Sequence, residues 1–156
     1  MKALDEAFER ATLEIAHSLW PKGWRVWPAE FKSVGELTAY YNANGRIAVS
    51  SLHCDKTVFS TPEVNHAFRA WHDWHHIRLN AGFDRDGEMA VHAAMRFDLT
   101  KWALKGGAFS VWEMPVPYAL LQCENIGQLD YWERFGVPPD DQRTFACGYL
   151  AARGLL

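Results

Sequence analysis

Several side chains able to ligate a metal ion crowd into one stretch, Arg69-Ala-Trp-His-Asp-Trp-His-His-Ile-Arg78, which carries His72, Asp73, His75 and His76. Gly87-Glu-Met-Ala-Val-His92 follows it closely. His72 and His76 stand at i, i+4, so on a helix they share one face. Glu88 and His92 repeat that spacing. Residues 80–87 between the pairs hold Gly82, Gly87 and two aspartates, which reads as a turn. With a rise of about 1.5 Å per residue, two antiparallel helices leaving that turn interleave the four side chains over about two turns. Neutral imidazole and carboxylate suit a divalent metal: zinc, manganese or iron. The expected ligands are His72, His76 and His92, with Glu88 as a fourth ligand or as the base for an activated water. Asp73 is either a ligand or an acceptor that orients an imidazole. The competing reading is that histidines at this spacing are core or solvated residues, since a chain with 7 histidines yields such pairs by chance.

The chain that must position these groups has 156 residues, enough for one domain with a real core, expected over residues 1–156. Hydrophobic residues at 49% and charged residues at 22% are ordinary for a soluble globular protein. A net charge of -3 argues against a general nucleic-acid binder, which needs a basic surface, and leaves a small-molecule substrate as the expected partner. Cys54, Cys123 and Cys147 form no CxxC, so reduced thiols and a cytoplasmic setting are expected. The N-terminal residues are charged rather than signal-like, and no apolar run nears the roughly 20 residues that span a bilayer.

The periodicities predict a mainly α domain. Leu4, Phe8, Ala11, Ile15 and Leu19 mark a first amphipathic helix over 3–19, with His17 off its stripe, and Pro21 stops it. Ser33 and Glu36 open a short helix to about residue 42. Residues 46–53 alternate as a strand, whose partner is expected at 24–27, giving a small two-stranded β element near residues 24–53. Trp20, Trp24 and Trp27 border it as candidates for a pocket or an interface. Thr61 and Pro62 start the helix that carries the histidines, to about residue 80. Asp86 is expected to cap the next, which ends near 105 at Gly106-Gly107. Pro115 and Pro117 open another to Phe135, with Gly136 as its stop and Trp132 in its core. Pro138 and Pro139 begin the last, which Gly154 closes. The sum is a bundle of about five main helices.

Three positions outside the His cluster could serve a substrate. Arg69, three residues before His72, suits an anion or a metal-bound carboxylate, or equally a surface salt bridge. His53 lies on a loop with Asp55. Glu124, at i, i+4 from Gln128, is a candidate ligand or base from a third helix.

The His72-Asp73 dipeptide with His76 one turn on is similar to the metal-binding motif of HD-domain phosphohydrolases. That resemblance implies a divalent metal activating water against a phosphoester. It would cast His53 or His17 as the upstream His and Asp98 or Asp130 as the downstream Asp. A broader run, with His53, Asp55, Pro62-Glu-Val-Asn65, Phe68-Arg-Ala-Trp-His-Asp73, His76 and Gly87-Glu88, resembles small uncharacterised proteins of tailed-phage genomes with a W-H-D-x-x-H motif. It implies a phage or prophage origin and no established activity. The His/carboxylate set also resembles that of non-haem iron proteins; Glu88-x-x-x-His92 is one residue longer than the ferritin-like pattern, which leaves a mononuclear site. The leading expectation is a metal-dependent hydrolase acting on a phosphorylated or nucleotide-like substrate. A mononuclear non-haem iron enzyme comes second, and a non-enzymatic phage protein that binds a host factor third.

Overall fold

Asp5 opens α1 (Glu6–Leu19): its carboxylate accepts from the Phe8 backbone N–H at 2.7 Å. The helix buries the expected stripe, Phe8, Ala11 and Ile15, and leaves His17 exposed. The structure is a computed structural model and describes residues 2–106 and 114–156. Gly107, half of the expected stop after the fourth helix, lies outside the described residues.

After Pro21 come β1 (Arg25–Trp27), α2 (Val34–Asn44) and β2 (Ala48–Ser50). The two strands pair in parallel, with Arg25 opposite Ala48 and Trp27 opposite Ser50. Parallel strands cannot be joined by a tight turn, and α2 is the crossover this pair requires. Ser33 Oγ accepts from Glu36 N at 3.2 Å to start α2, and Gly45 ends it at φ +61°, a conformation that favours glycine. Ile47 and Val49 of the sheet close over Trp20, Leu37 and Ala70 in a small second core. Trp20 is therefore a core residue, its Nε1–H donating to the Ala70 carbonyl at 3.0 Å, whereas Trp27 stays exposed.

The hairpin that carries the histidines is α3 (Pro62–Leu79) followed by α4 (Arg85–Gly106). The cap of α4 is Asp84, not Asp86. Asp84 Oδ1 accepts from Gly87 N at 2.9 Å and its carbonyl accepts from Glu88 N at 2.8 Å, so the helix begins earlier than expected. That start presses Gly87 onto the turn. A Cβ there would stand 1.9 Å from the Gly82 carbonyl oxygen, a backbone atom that cannot swing aside. Gly87→Ala is expected to destabilise the chain by about 3 kcal/mol, in the upper range for overpacking, as read by urea unfolding. Unchanged stability would show that the turn has room it lacks here.

The expected helix over 115–135 is present, with an interruption. α5 (Pro115–Gln122) runs into a π-helical turn (Cys123–Gly127) and then α6 (Gln128–Phe135), which Gly136 ends at φ +73°. α7 (Gln142–Ala151) starts later than Pro138 and Pro139, because Asp141 is the residue whose carboxylate accepts from Thr144 N at 2.8 Å. Helices α1, α3, α4, α5 and α7 bury the main core, with Phe8, Phe68, Trp71, Met95, Leu99 and Leu120 among its largest side chains. The fold is mainly α with one small two-stranded sheet. No helix among the described residues is long and apolar enough to cross a membrane.

Candidate metal centre

The exit of α3 fixes the first histidine. Asn80 takes the left-handed conformation at φ +49° and donates to the Ile77 carbonyl, while Ala81 N–H reaches back to the His76 carbonyl at 3.1 Å. This is the 6→1 and 5→2 pattern of a Schellman cap, with asparagine in the place glycine usually fills. It brings the Ala81 carbonyl to His76 Nδ1 at 2.9 Å. A carbonyl only accepts, so Nδ1 carries the proton and, in the neutral ring, Nε2 carries the lone pair.

Glu88 stands opposite, one turn into α4. Its Oε1 lies 3.3 Å from His76 Nε2 and its Oε2 lies 3.0 Å from His72 Nε2. One ligand atom from each of the three residues can be chosen with all of them within 4.8 Å of one another. Two donors about 2.1 Å from a shared ion at a tetrahedral angle sit about 3.4 Å apart, so both spacings fit a common ion. His76 Nε2 is fully buried and has no hydrogen-bond partner. It stands 3.3 Å from Glu88 Oε1, an ion pair when the ring is charged and acceptor to acceptor when it is neutral, where a cation between the two would relieve the contact.

His72 is held from both sides. Its Nδ1 lies 3.2 Å from Asp73 Oδ1 and its Nε2 lies against Glu88. Burial works against an imidazolium here, but the hydrogen bonds and charges of Asp73 and Glu88 outweigh it and hold the ring's pKa up to about 10. Burial would likewise raise Glu88, and the two imidazoles instead bring it down to about 2. The pocket is thus built to keep a positive charge between carboxylates, as a proton on His72 or as a metal ion. With a metal on Nε2, Asp73 becomes the acceptor of Nδ1–H that orients the ring, the second of the two roles expected of it.

His92 falls outside the group. Glu88 alone fills the gap between the two imidazoles, one oxygen to each, and His92 sits a turn beyond it. It is buried, and desolvation followed by the charge of Arg96 lowers its pKa from the ordinary imidazole value. The fourth histidine of the stretch, His75, points to another partner: its Nε2 meets Asp98 Oδ2 at 2.8 Å. Asp98 also accepts from Trp71 Nε1 at 3.2 Å and pairs with Lys101, so it pins α3 to α4 and stands outside the His72, His76 and Glu88 group. Asp130 pairs with Arg85, as does Glu133, and is likewise taken.

His72 and Glu88 open on a cavity of about 290 Å³, whose other polar lining includes Arg69, Glu124, Asn65 and Asn125. Two of the three expected substrate residues therefore line the cavity beside the centre. Arg69 donates Nη1–H to the Ser50 carbonyl at 2.9 Å and has no carboxylate within ion-pair distance among the described residues. Glu124 rides on the π-helical turn; burial pushes its carboxyl up to about 7, against a hydrogen bond with Gln128 and the charge of Arg69. The third, His53, is exposed at φ +56° on its loop and is not among the cavity residues. Trp132, expected in the core, is 52% exposed and forms part of the cavity wall. Asn125 carried no signal in the sequence; only the π turn, a feature often found at functional sites, brings it there.

No family model, curated protein or solved structure matches this chain.

Proposed function

We propose that the chain is a metal-dependent hydrolase acting on a small anionic substrate, a phosphorylated one first of all. The observation that carries this reading is the fully buried Nε2 of His76 set 3.3 Å from Glu88 Oε1, in a group of two imidazoles and one carboxylate that borders a cavity. That donor set suits zinc, and also iron(II). A divalent ion held there lowers the pKa of a coordinated water toward neutrality and polarises the bond to be cut.

The remaining tasks fall to side chains of the chain itself. Asp73 fixes the tautomer and tilt of His72. The Ala81 carbonyl does the same for His76. Arg69, with no carboxylate within ion-pair distance among the described residues, lines the same cavity about one turn before His72 on α3 and anchors the anionic group of the substrate. Glu88 is occupied by the two imidazoles and is assigned to holding the ion, not to taking a proton.

The same donor set is the facial triad of mononuclear iron enzymes, and that is the second reading. One experiment separates them. Protein stripped with chelator is reloaded with zinc, manganese or, without air, iron(II), then assayed on p-nitrophenyl phosphate and in an oxygen electrode. Release of p-nitrophenol with zinc or manganese, abolished in Glu88→Gln, is expected. Oxygen uptake with iron alone would transfer the assignment to the iron reading. Neither signal with any metal would remove both.

A further inference from the structure

The tryptophans that border the small sheet take no part in the metal centre. Trp20 is core, but Trp27 is 39% exposed. The two strands run in parallel, so both begin at the same end of the sheet. At that end Lys22, Arg25 and Arg46 line an open groove of about 780 Å³ whose lining holds no acidic residue. All three side chains are exposed, and none is in an ion pair among the described residues. Cations gathered along one groove repel one another, and a bound anion relieves that repulsion. The net charge of -3 belongs to the whole chain and does not describe this end of it.

Aromatic rings lead away from the groove. Arg25 Nη1–H donates to the Tyr40 hydroxyl at 3.2 Å. Tyr40 packs on Trp27 and Phe31, with ring centroids 5.7 and 5.6 Å away, and Trp27 and Phe31 lie 6.3 Å apart. Arg25 and Trp27 stand two apart on β1 and so point to one face of the strand. Phe31 then walls a second cavity of about 190 Å³ with Ser50, Arg69 and Asp73. Arg69 also lines the cavity of the metal centre, and Asp73 lies against His72. Cations, rings and centre are thus joined in that order by contacts or shared walls.

We infer that this face is a track for single-stranded nucleic acid, with phosphates in the Lys22, Arg25 and Arg46 groove and bases stacked on Trp27 and Phe31. A basic groove beside exposed rings is what such a strand recognises, because every base has a flat face and a duplex hides it. A plain polyanion or an anionic lipid surface would use the cations and leave the rings idle. Glu30 stands with Phe31 in the second cavity, off the basic groove, where it opposes no bound phosphate. This deepens the hydrolase reading and rests on it for the fate of the strand, whose phosphoester is led past Phe31 to Arg69. Binding to the track needs no metal, so the test is run in chelator and a failed metal centre leaves it standing.

Full-length protein is titrated into a fluorescein-labelled oligothymidylate of about 12 nucleotides, with binding read by anisotropy. Log affinity should fall against log salt with a slope of about -2, the value for about three phosphates on a single strand. Lys22→Glu combined with Arg46→Glu should weaken binding at least about tenfold at low salt. Both residues are exposed, so the thermal midpoint should hold. Trp27→Ala should weaken binding about fivefold or more, the low end for one lost base stack, and Trp27→Phe, which keeps a ring, should recover most of it. Inorganic polyphosphate of matched length is the competitor and should compete less well than unlabelled oligothymidylate. Equal competition, with Trp27→Ala indistinguishable from wild type, would overturn the strand in favour of a plain polyanion. Sedimentation with phosphatidylserine vesicles in place of oligonucleotide binding would overturn it in favour of a membrane surface. No oligonucleotide binding at low salt would remove the track and leave the metal centre untouched.

Discussion

Zinc at a hundredfold excess over its dissociation constant is expected to raise the thermal midpoint of the wild-type chain by about 8 °C. A ligand that binds only the folded state stabilises it by about 2.7 kcal/mol at that excess, and a chain of this size gains about 2–4 °C per kcal/mol. The expectation rests on His72, His76 and Glu88 being apposed before any ion arrives, so that little folding energy is spent on assembling them. Asp73→Asn should weaken zinc by about 10–100-fold, because His72 loses the acceptor that fixes its ring, and the shift at the same zinc concentration should shrink to about 1–4 °C. His76→Ala should show almost none. Since His76 is fully buried and bonded to the Ala81 carbonyl, that variant is also destabilised without metal. Glu88→Gln is the cleaner partner, keeping the shape and losing the charge. Its metal-free midpoint should drop, because the His72 imidazolium loses one of its two carboxylates. Its zinc shift should fall to a small fraction of the wild-type value. Equal shifts in all four proteins would mean that zinc binds elsewhere and that the cluster is a buried ion pair.

Much of this centre was legible because helical spacing is a strong constraint. Once His72 and His76 stand four apart on one helix and Glu88 follows a glycine-rich turn, few arrangements of a hairpin keep them apart. His92 obeyed the same arithmetic and still missed. Spacing places a residue on a face of its own helix, but which residue meets the facing helix depends on how the two cross, and the carboxylate of Glu88 was long enough to serve both imidazoles by itself. The cap of α4 went to Asp84 over Asp86 for a similar reason: both are good caps in isolation, and the Schellman exit of α3 through Asn80 and Ala81 decided which one the chain reached in time. The small sheet was legible from alternation at 46–53, and its partner at 24–27 from the need of a lone strand for a neighbour. The π turn was not. Its extra residue leaves the composition of 115–135 helical throughout, and only packing of that segment against α4 and α7 selects it. With it went the placement of Asn125 and the exposure of Trp132.

Replacing Glu124 by Gln should make the chain gain stability on wild type as the pH rises, by about 2 kcal/mol between about pH 4.5 and pH 8. Burial raises the folded-state pKa of Glu124 from 4.5 to about 7, so between those values the folded chain holds a proton that the unfolded chain has released. The folded state binds more protons there, and the contribution of Glu124 to stability is whole below pH 4.5 and is lost as the pH climbs through 7. At about 1.4 kcal/mol per unit the shift corresponds to roughly 3 kcal/mol, and partial exposure of the side chain reduces this to about 2. Gln carries no titrating proton, so the difference between the two unfolding free energies, measured in urea at each pH, isolates this one group from His72, Glu88 and Asp98. The groups that oppose the shift remain in both proteins: the Gln128 hydrogen-bond partner and the charge of Arg69, with His72 and Glu88 on the same cavity lining. A flat curve would show that Glu124 is solvated in the folded chain as it is in the unfolded one.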